Sequence, residues 1–471
     1  MRLDQANLLL ITFDQWRGDW TDPEESIVKM PYLEKLSEEG ITARRCYTSS
    51  PQCVPARMSW LTGLAPSQIG VTRNCEAEIP EDAPSAFRDL QQAGWYTQLI
   101  GKSHWTSHLK PGDLREQREL IKKLGFDEVN EVAGPRALQI MECELTDEWK
   151  RACVFESYQE DMKRRYQRGR TDDAWSVRPT VLPDHLYPDI WIANKGIEAI
   201  QNMPTNQPWV LWISFVGPHE PFDTPKGWSN TNRDKRPMFI QPTDWIKNLP
   251  IDCELRKTAE SWNGHLNEKS IEAFRKDYAN NLQLLDHQLG RLTDELKKRT
   301  DANKTAVTIT SDHGEMLGDH LMLYKGTFLE GSIHVPFLYI PPAEAKNKRK
   351  IVINKPIELT NTFTLIIKNL TNGGKPKELR QHCKRQNHVT VEFGEELLII
   401  KNKRKLCCNS RGEPLWGINL RQDPKEQVNV LEENKELLTQ NKGWRLLYQL
   451  AKEEINQRSQ KTWMWRGIAK Q

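Results

Sequence analysis

What most constrains this chain is a series of short apolar runs, each followed by a turn and most by a helical stretch. The candidate strands are Asn7–Phe13, Ile41–Tyr47, Trp95–Gly101, Trp209–Phe215, Thr305–Thr310 and Val335–Ile340. Each is rich in β-branched or aromatic residues. The alternation predicts an α/β fold in which a large, mostly parallel sheet is sandwiched by helices. Functional groups in such sheets gather outside the carboxyl ends of the strands. Asp14, Lys102, His219 and Asp312 all follow strand ends, so four reactive side chains can share one crevice. Among the helices, Pro31–Glu39 is short. Ile271–Arg299 is long, and its leucines 282, 285, 289 and 292 repeat at helical spacing and read as core. Residues 106–185 are charged, irregular and studded with Trp and Arg. They read as an insertion over the sheet edge, either shaping a pocket or forming a solvated excursion.

The composition shifts near residue 345. Between Lys346 and Arg411 there are 16 Lys/Arg against 5 Asp/Glu. Within and after this stretch, His388–Phe393, Glu396–Lys401, Lys403–Cys408 and Leu415–Leu420 read as four antiparallel strands, and Asn429–Glu454 as a closing helix. The expected division is therefore 1–345 for the main unit and 346–471 for a smaller C-terminal α+β subdomain. The basic excess reads first as a solvated surface. The alternative is steering of polyanionic ligands by Lys403, Arg404 and Lys405.

Several classes are excluded. With 67 Lys/Arg against 64 Asp/Glu, the chain is too balanced for a whole-chain nucleic-acid binder. No basic leader with an apolar core is visible, and no run nears the ~18 apolar residues of a membrane span. The expectation is a soluble, cytoplasmic protein without membrane contact. Nine cysteines, odd in number and unpatterned, make neither a disulfide framework nor a zinc site. The sequence carries no signal for an oligomeric state.

One cysteine stands apart. In the run from Pro51 to Gly63, Pro55 suits the first turn of a helix. Cys53 then sits at the helix N-terminus, where free N–H groups and the dipole favour an anion. Arg57 lies one turn further on the same face; the bland reading is a buried cysteine beside a surface arginine. Asp14 reads as a metal ligand or a helix cap. Asp312 and His313 stand adjacent after a strand, and with Asp14 they can reach one divalent ion. Two oxygens and a nitrogen suit manganese better than calcium. Lys102, Lys325, Arg57, His104 and His219 taken singly are ordinary solvated or structural residues. Together near strand ends they form a cationic cradle for a tetrahedral anion, with imidazoles placed for proton transfer.

These residues carry a resemblance. The chain resembles the type I, formylglycine-dependent sulfatases of the alkaline phosphatase superfamily. The match runs through Cys53-Val54-Pro55-Ala56-Arg57 and Leu61-Thr62-Gly63, Asp14, Gly101-Lys102-Ser103-His104, Pro218-His219-Glu220-Pro221, Asp312-His313-Gly314 and Lys325. It continues through Glu330–Pro336 and Leu420–Glu426, so it covers most of the chain in family order. The resemblance implies a sulfuric ester hydrolase cleaving sulfate monoesters. Cys53 would be converted to formylglycine by a formylglycine-generating enzyme. Asp14, Asp312, His313 and the modified Cys53 would hold one divalent metal, manganese or calcium. Arg57 would steady the hydrate, Lys102 and Lys325 the sulfate oxygens. His219 would protonate the leaving oxygen and His104 would accept a proton from the remaining hydroxyl. The substrate would be a small-molecule or saccharide sulfate ester.

Two departures stand out. Gln15 replaces a frequent second aspartate and His313 a frequent Asn or Gln, a combination resembling the phosphonate monoester hydrolase and choline sulfatase branch. His334 stands where arginine is frequent. A phosphonate or phosphate ester hydrolase using the same site is therefore the first alternative. A catalytically silent anion- or partner-binding member of the fold is the second.

Overall fold

The computed structural model describes residues 5–21, 28–75, 77–166, 176–228, 238–345, 350–434 and 436–460. Eight strands form the large sheet: β1 Asn7–Asp14, β2 Ile41–Ala43, β3 Tyr96–Gly101, β4 Glu128–Glu131, β5 Trp209–Pro218, β6 Thr305–Ser311, β7 Phe337–Ile340 and β8 Ile351–Ile353. Their spatial order is β8-β2-β7-β6-β1-β5-β3-β4. Within it β6, β1, β5, β3 and β4 pair in parallel, and β7 runs antiparallel to both its neighbours.

Alternation along the central strands builds two cores. In β1, Leu9, Ile11 and Phe13 enter one cluster, and Leu8 and Leu10 enter the other. β5 repeats the pattern with Leu211 and Ile213 against Val210 and Trp212. A strand buried on both faces reads as a continuous apolar run, which is why these two were visible in sequence. The labelled helices are α1 Pro31–Ser37, α2 Cys53–Thr62, α3 Phe155–Arg165, α4 Pro188–Asn202, α5 Glu268–Lys297, α6 Leu359–Asn369 and α7 Lys442–Gln460. α4 and α5 cover the first face, α2 and α6 the second.

A four-stranded antiparallel sheet follows: β9 Val389–Phe393, β10 Glu396–Lys401, β11 Arg404–Asn409 and β12 Pro414–Asn419. One of its faces packs under α7 through Leu397, Ile399, Leu406 and Trp444. The other, with Val391, Leu398 and Trp416, joins the first core of the large sheet. The fold is thus the expected mostly parallel sheet between helices, with a smaller antiparallel sheet.

Four expectations shift in detail. Ile41–Tyr47 splits: β2 enters the large sheet, whereas Cys46–Tyr47 pairs with His334–Val335 and Ile357–Glu358 in a separate small sheet. Val335–Ile340 splits at Pro336, which has no N–H for a ladder. Residues 106–185 include the sheet's edge strand β4, which holds a single apolar residue, Val129, and so gave no strand signal. The closing helix is broken into Val430–Glu433, Leu437–Gln440 and α7. Asn429, Asn434 and Asn441 each accept a backbone N–H just downstream and start a new turn.

Lys405 belongs to no solvated basic face. It is fully buried, with its ammonium 2.6 Å from Glu426 and 3.1 Å from Glu330. His334 packs its ring on Tyr47 at 5.7 Å. No helix among the described residues is long and apolar enough to cross a membrane.

Candidate active site

Parallel register delivers the site. β1 lies between β5 and β6, and β3 lies beside β5, so their carboxyl ends form one edge. Asp14 ends β1, Lys102 follows β3, His219 follows β5 and Asp312-His313 follow β6. Into this edge α2 inserts its first residue, Cys53. Asn74 accepts the N–H of Val54 at 2.9 Å and Gln52 accepts the N–H of Asn74 at 2.6 Å, which pins the start of the helix.

Asp14, Cys53, Asp312 and His313 each bring one donor atom, and these atoms lie within 4.8 Å of one another. All four residues are buried. Cys53 Sγ is 3.1 Å from His313 Nε2 and 3.7 Å from Asp14 Oδ1. His313 Nδ1 meets the Gly314 carbonyl at 2.9 Å, which leaves Nε2 for the cluster. Two carboxylates, an imidazole and a cysteine sulfur form a donor set that fits one divalent cation.

Cations surround this cluster. Arg57 donates from Nε to Asp312 at 2.7 Å and from Nη2 to Asp14 at 3.3 Å. Its Nη1 reaches the Lys102 carbonyl at 2.7 Å and Ser214 Oγ at 2.9 Å. Lys102 Nζ is 2.5 Å from Asp14 Oδ2, and Lys325 Nζ is 3.1 Å from Cys53 Sγ. The charge balance moves the titrations. Burial disfavours a thiolate, but Lys102, Lys325 and His313 outweigh it and hold the Cys53 thiol well below its usual range. Burial also opposes the Asp14 carboxylate, as does Cys53, yet Lys102, His219 and Arg57 keep it below the ordinary carboxylate range. His104 is pushed down to about 4 by burial and by Lys102, so its ring is neutral at pH 7.

Behind the two outer cations lies a polar relay. Gln15 accepts from Lys325 Nζ at 2.8 Å, donates to Glu220 at 3.0 Å and also donates to Glu315. Glu220 in turn lies 3.1 Å from His219 Nδ1, whose partner is also the Glu220 carbonyl at 2.8 Å. Glu315 is raised to about 7 by burial, with Glu220 adding to the shift. The rings of His104 and His108 stack at 4.8 Å.

Every residue singled out in the sequence lies in this one locality: Asp14, Cys53, Arg57, Lys102, His104, His219, Asp312, His313 and Lys325. Cys53, Lys102, His104, His219 and Lys325 line a single cavity of about 530 Å³. Arg57, Asp14, Asp312 and His313 lie beneath it, fully buried. Sequence reasoning passed over Asn74 and His108, and it named Gln15 and Glu220 without the relay that they form with Glu315. His108, four residues after His104, was the one with a legible spacing.

Fold and site together define an α/β protein built on a mostly parallel sheet, with a deep anion cradle beside a carboxylate–imidazole cluster. The family model described as Sulfatase matches residues 6–366. The chain is 27% identical over 467 residues to an arylsulfatase of Clostridium perfringens (strain 13 / Type A), covering 92% of each chain. It is 24% identical over 471 residues to a choline-sulfatase of Rhizobium meliloti (strain 1021), covering 92% of this chain and 83% of that one. Among solved structures, a phosphonate monoester hydrolase of Agrobacterium radiobacter superposes with a TM-score of 0.74 at 20% identity, covering 99% of this chain and 98% of that one. The chain belongs to the sulfatase family, and it is a hydrolase of the sulfatase type.

Proposed function

We propose that the protein hydrolyses sulfate monoesters of small molecules or saccharides, with Cys53 converted to formylglycine by a formylglycine-generating enzyme. The observation that carries this reading is the position of Cys53, at a helix start and within 4.8 Å of the donor atoms of Asp14, Asp312 and His313. The same four positions would hold one divalent ion, manganese or calcium, with the His313 nitrogen favouring manganese. When bound, that ion lowers the pKa of the hydrate oxygen that formylglycine supplies as nucleophile.

The chain's own residues do the rest. Arg57 holds both carboxylates apart and in place. Lys102 and Lys325 take the sulfate oxygens, whose charge they match. Glu220 fixes His219 through Nδ1, which leaves Nε2 to donate a proton to the departing alkoxide. His104, neutral, accepts the proton of the remaining hydroxyl so that sulfate departs and the aldehyde returns. The ester's alcohol and inorganic sulfate are the products, and one water is consumed. Nine unpaired cysteines support action in the cytoplasm.

The test begins with peptide mass spectrometry after co-expression with a maturation enzyme. The Cys53 peptide is expected at the aldehyde mass, and Cys53→Ala is expected to lose at least about a thousandfold of aryl sulfate turnover. Wild-type turnover by Cys53→Ala would overturn the reading. The Gln15–His313 combination favours a second reading, a phosphonate ester hydrolase. It is judged by kcat/KM on sulfate and phosphonate esters of one leaving group, with the sulfate expected to be faster.

A further inference from the structure

The cavity above Cys53 is larger than a sulfate needs, and its outer wall has a definite charge. The wall comes from the segment after β4 and from the last turn of α3, both in the stretch 106–185. Arg136 and Lys163 line it beyond the two lysines already assigned to sulfate. The last turn of α3 holds three cations, Lys163, Arg164 and Arg165. Arg164 pairs with Glu160 and Arg165 with Asp161, whereas Lys163 is the one at the cavity. The Arg136 guanidinium lies 4.4 Å from the centre of the Tyr166 ring, which holds it at the wall with half of its side chain exposed.

The opposing charge is sparse. Glu220 is the acid on the cavity lining among the described residues. It is already taken by Gln15 at 3.0 Å and His219 at 3.1 Å, and Arg136 approaches it only to 3.9 Å. Two lining residues also bury polar atoms that make no hydrogen bond: the Tyr166 hydroxyl and both ring nitrogens of His108, whose Nε2 lies 3.9 Å from Glu131. A buried polar atom without a partner costs stability unless something supplies the hydrogen bond.

We infer that the alcohol carried by the ester bears a second anionic group, which Arg136 and Lys163 receive while Tyr166 and His108 bond its neighbouring polar atoms. This rests on the sulfate ester reading and names its substrate class. A cationic alcohol such as choline would face two cations and, among the described residues, no carboxylate on the lining but the engaged Glu220. A neutral alcohol would leave both cations unused. The second anion is a carboxylate or a second sulfate, and the two share the bidentate geometry that an arginine recognises.

The test uses the matured enzyme and matched probes. One pair is 4-sulfooxybenzoate and its neutral amide; the other is hydroquinone disulfate and hydroquinone monosulfate. Choline sulfate is the cationic probe. In at least one pair the anionic member is expected to have a kcat/KM about tenfold higher, carried mainly by KM. The pair that shows it identifies the source. Arg136→Gln combined with Lys163→Gln is expected to bring that ratio below about twofold, and Lys163→Arg to keep it. If the double variant does not fold, the wild-type ratio read against salt decides, since an ionic preference shrinks as ionic strength rises. Ratios near one in both pairs, a ratio that survives the double variant or added salt, or faster turnover of choline sulfate would overturn the inference and leave the sulfatase reading standing. No sulfate release from any probe would instead remove that reading, and the inference with it.

Discussion

Arg57 is buried between Asp14 and Asp312, and it also satisfies the Lys102 carbonyl and Ser214. Removing it strands two buried carboxylates. Arg57→Ala is expected to lower the stability of the metal-free protein by about 3–5 kcal/mol, read by urea unfolding in chelator. Added divalent metal should return part of that loss, because a cation can take the place of the guanidinium between the carboxylates. At this scale the sequence was informative where a residue type has few uses. A cysteine two residues before a proline and four before an arginine, and an adjacent Asp-His after a strand, were legible. Gln15 was not. Its value lies in three partners at sequence separations of 205, 300 and 310 residues, which no local pattern records.

At the scale of the element, the turn after β3 aims Lys102. Gly101 has φ of +99°, and a Cβ there would lie 1.9 Å from the Ser214 carbonyl oxygen. That same carbonyl accepts the Lys102 N–H at 2.9 Å. Gly101→Ala is therefore expected to cost about 2 kcal/mol or more and to move Lys102. The measurement is KM for an aryl sulfate beside the unfolding midpoint, with KM rising and the midpoint falling. Elements whose burial is two-sided, such as β1 and β5, were legible as apolar runs. The edge strand β4 was not, because pairing on one side asks for little apolar surface. The broken closing helix shows the complementary limit. Its apolar spacing is helical, but three asparagines offer the backbone competing caps.

Across the whole molecule, buried acids behind the sheet edge link stability to pH. Asp189 and Asp277 are raised to about 7, and Asp223 to about 6, each first by burial. A raised carboxyl pKa means that the folded chain holds the proton more tightly than the unfolded chain. The stability these groups contribute is therefore full below the unfolded value of 3.8 and is lost as pH rises through 6 to 7. In chelator, Tm is expected to be a few degrees higher at pH 5.5 than at pH 8. Asp277→Asn, which keeps an acceptor for Thr224, should shrink that difference; an unchanged difference would point to other groups.

The sequence by itself determined the strand–helix alternation, the placement of reactive groups at strand ends and the family signature around Cys53. These are local properties, set by side-chain period, turn chemistry and the short list of residues able to do one job. Only the tertiary structure decided that β1 sits between β5 and β6, which brings residues 14, 219 and 312 together. It alone showed Lys405 as a buried ion pair and placed Arg136 and Lys163 on the wall above Cys53. Strand order and cavity walls are settled by packing between segments far apart in the chain. A charged residue reads the same in sequence whether it faces water, a buried carboxylate or a substrate.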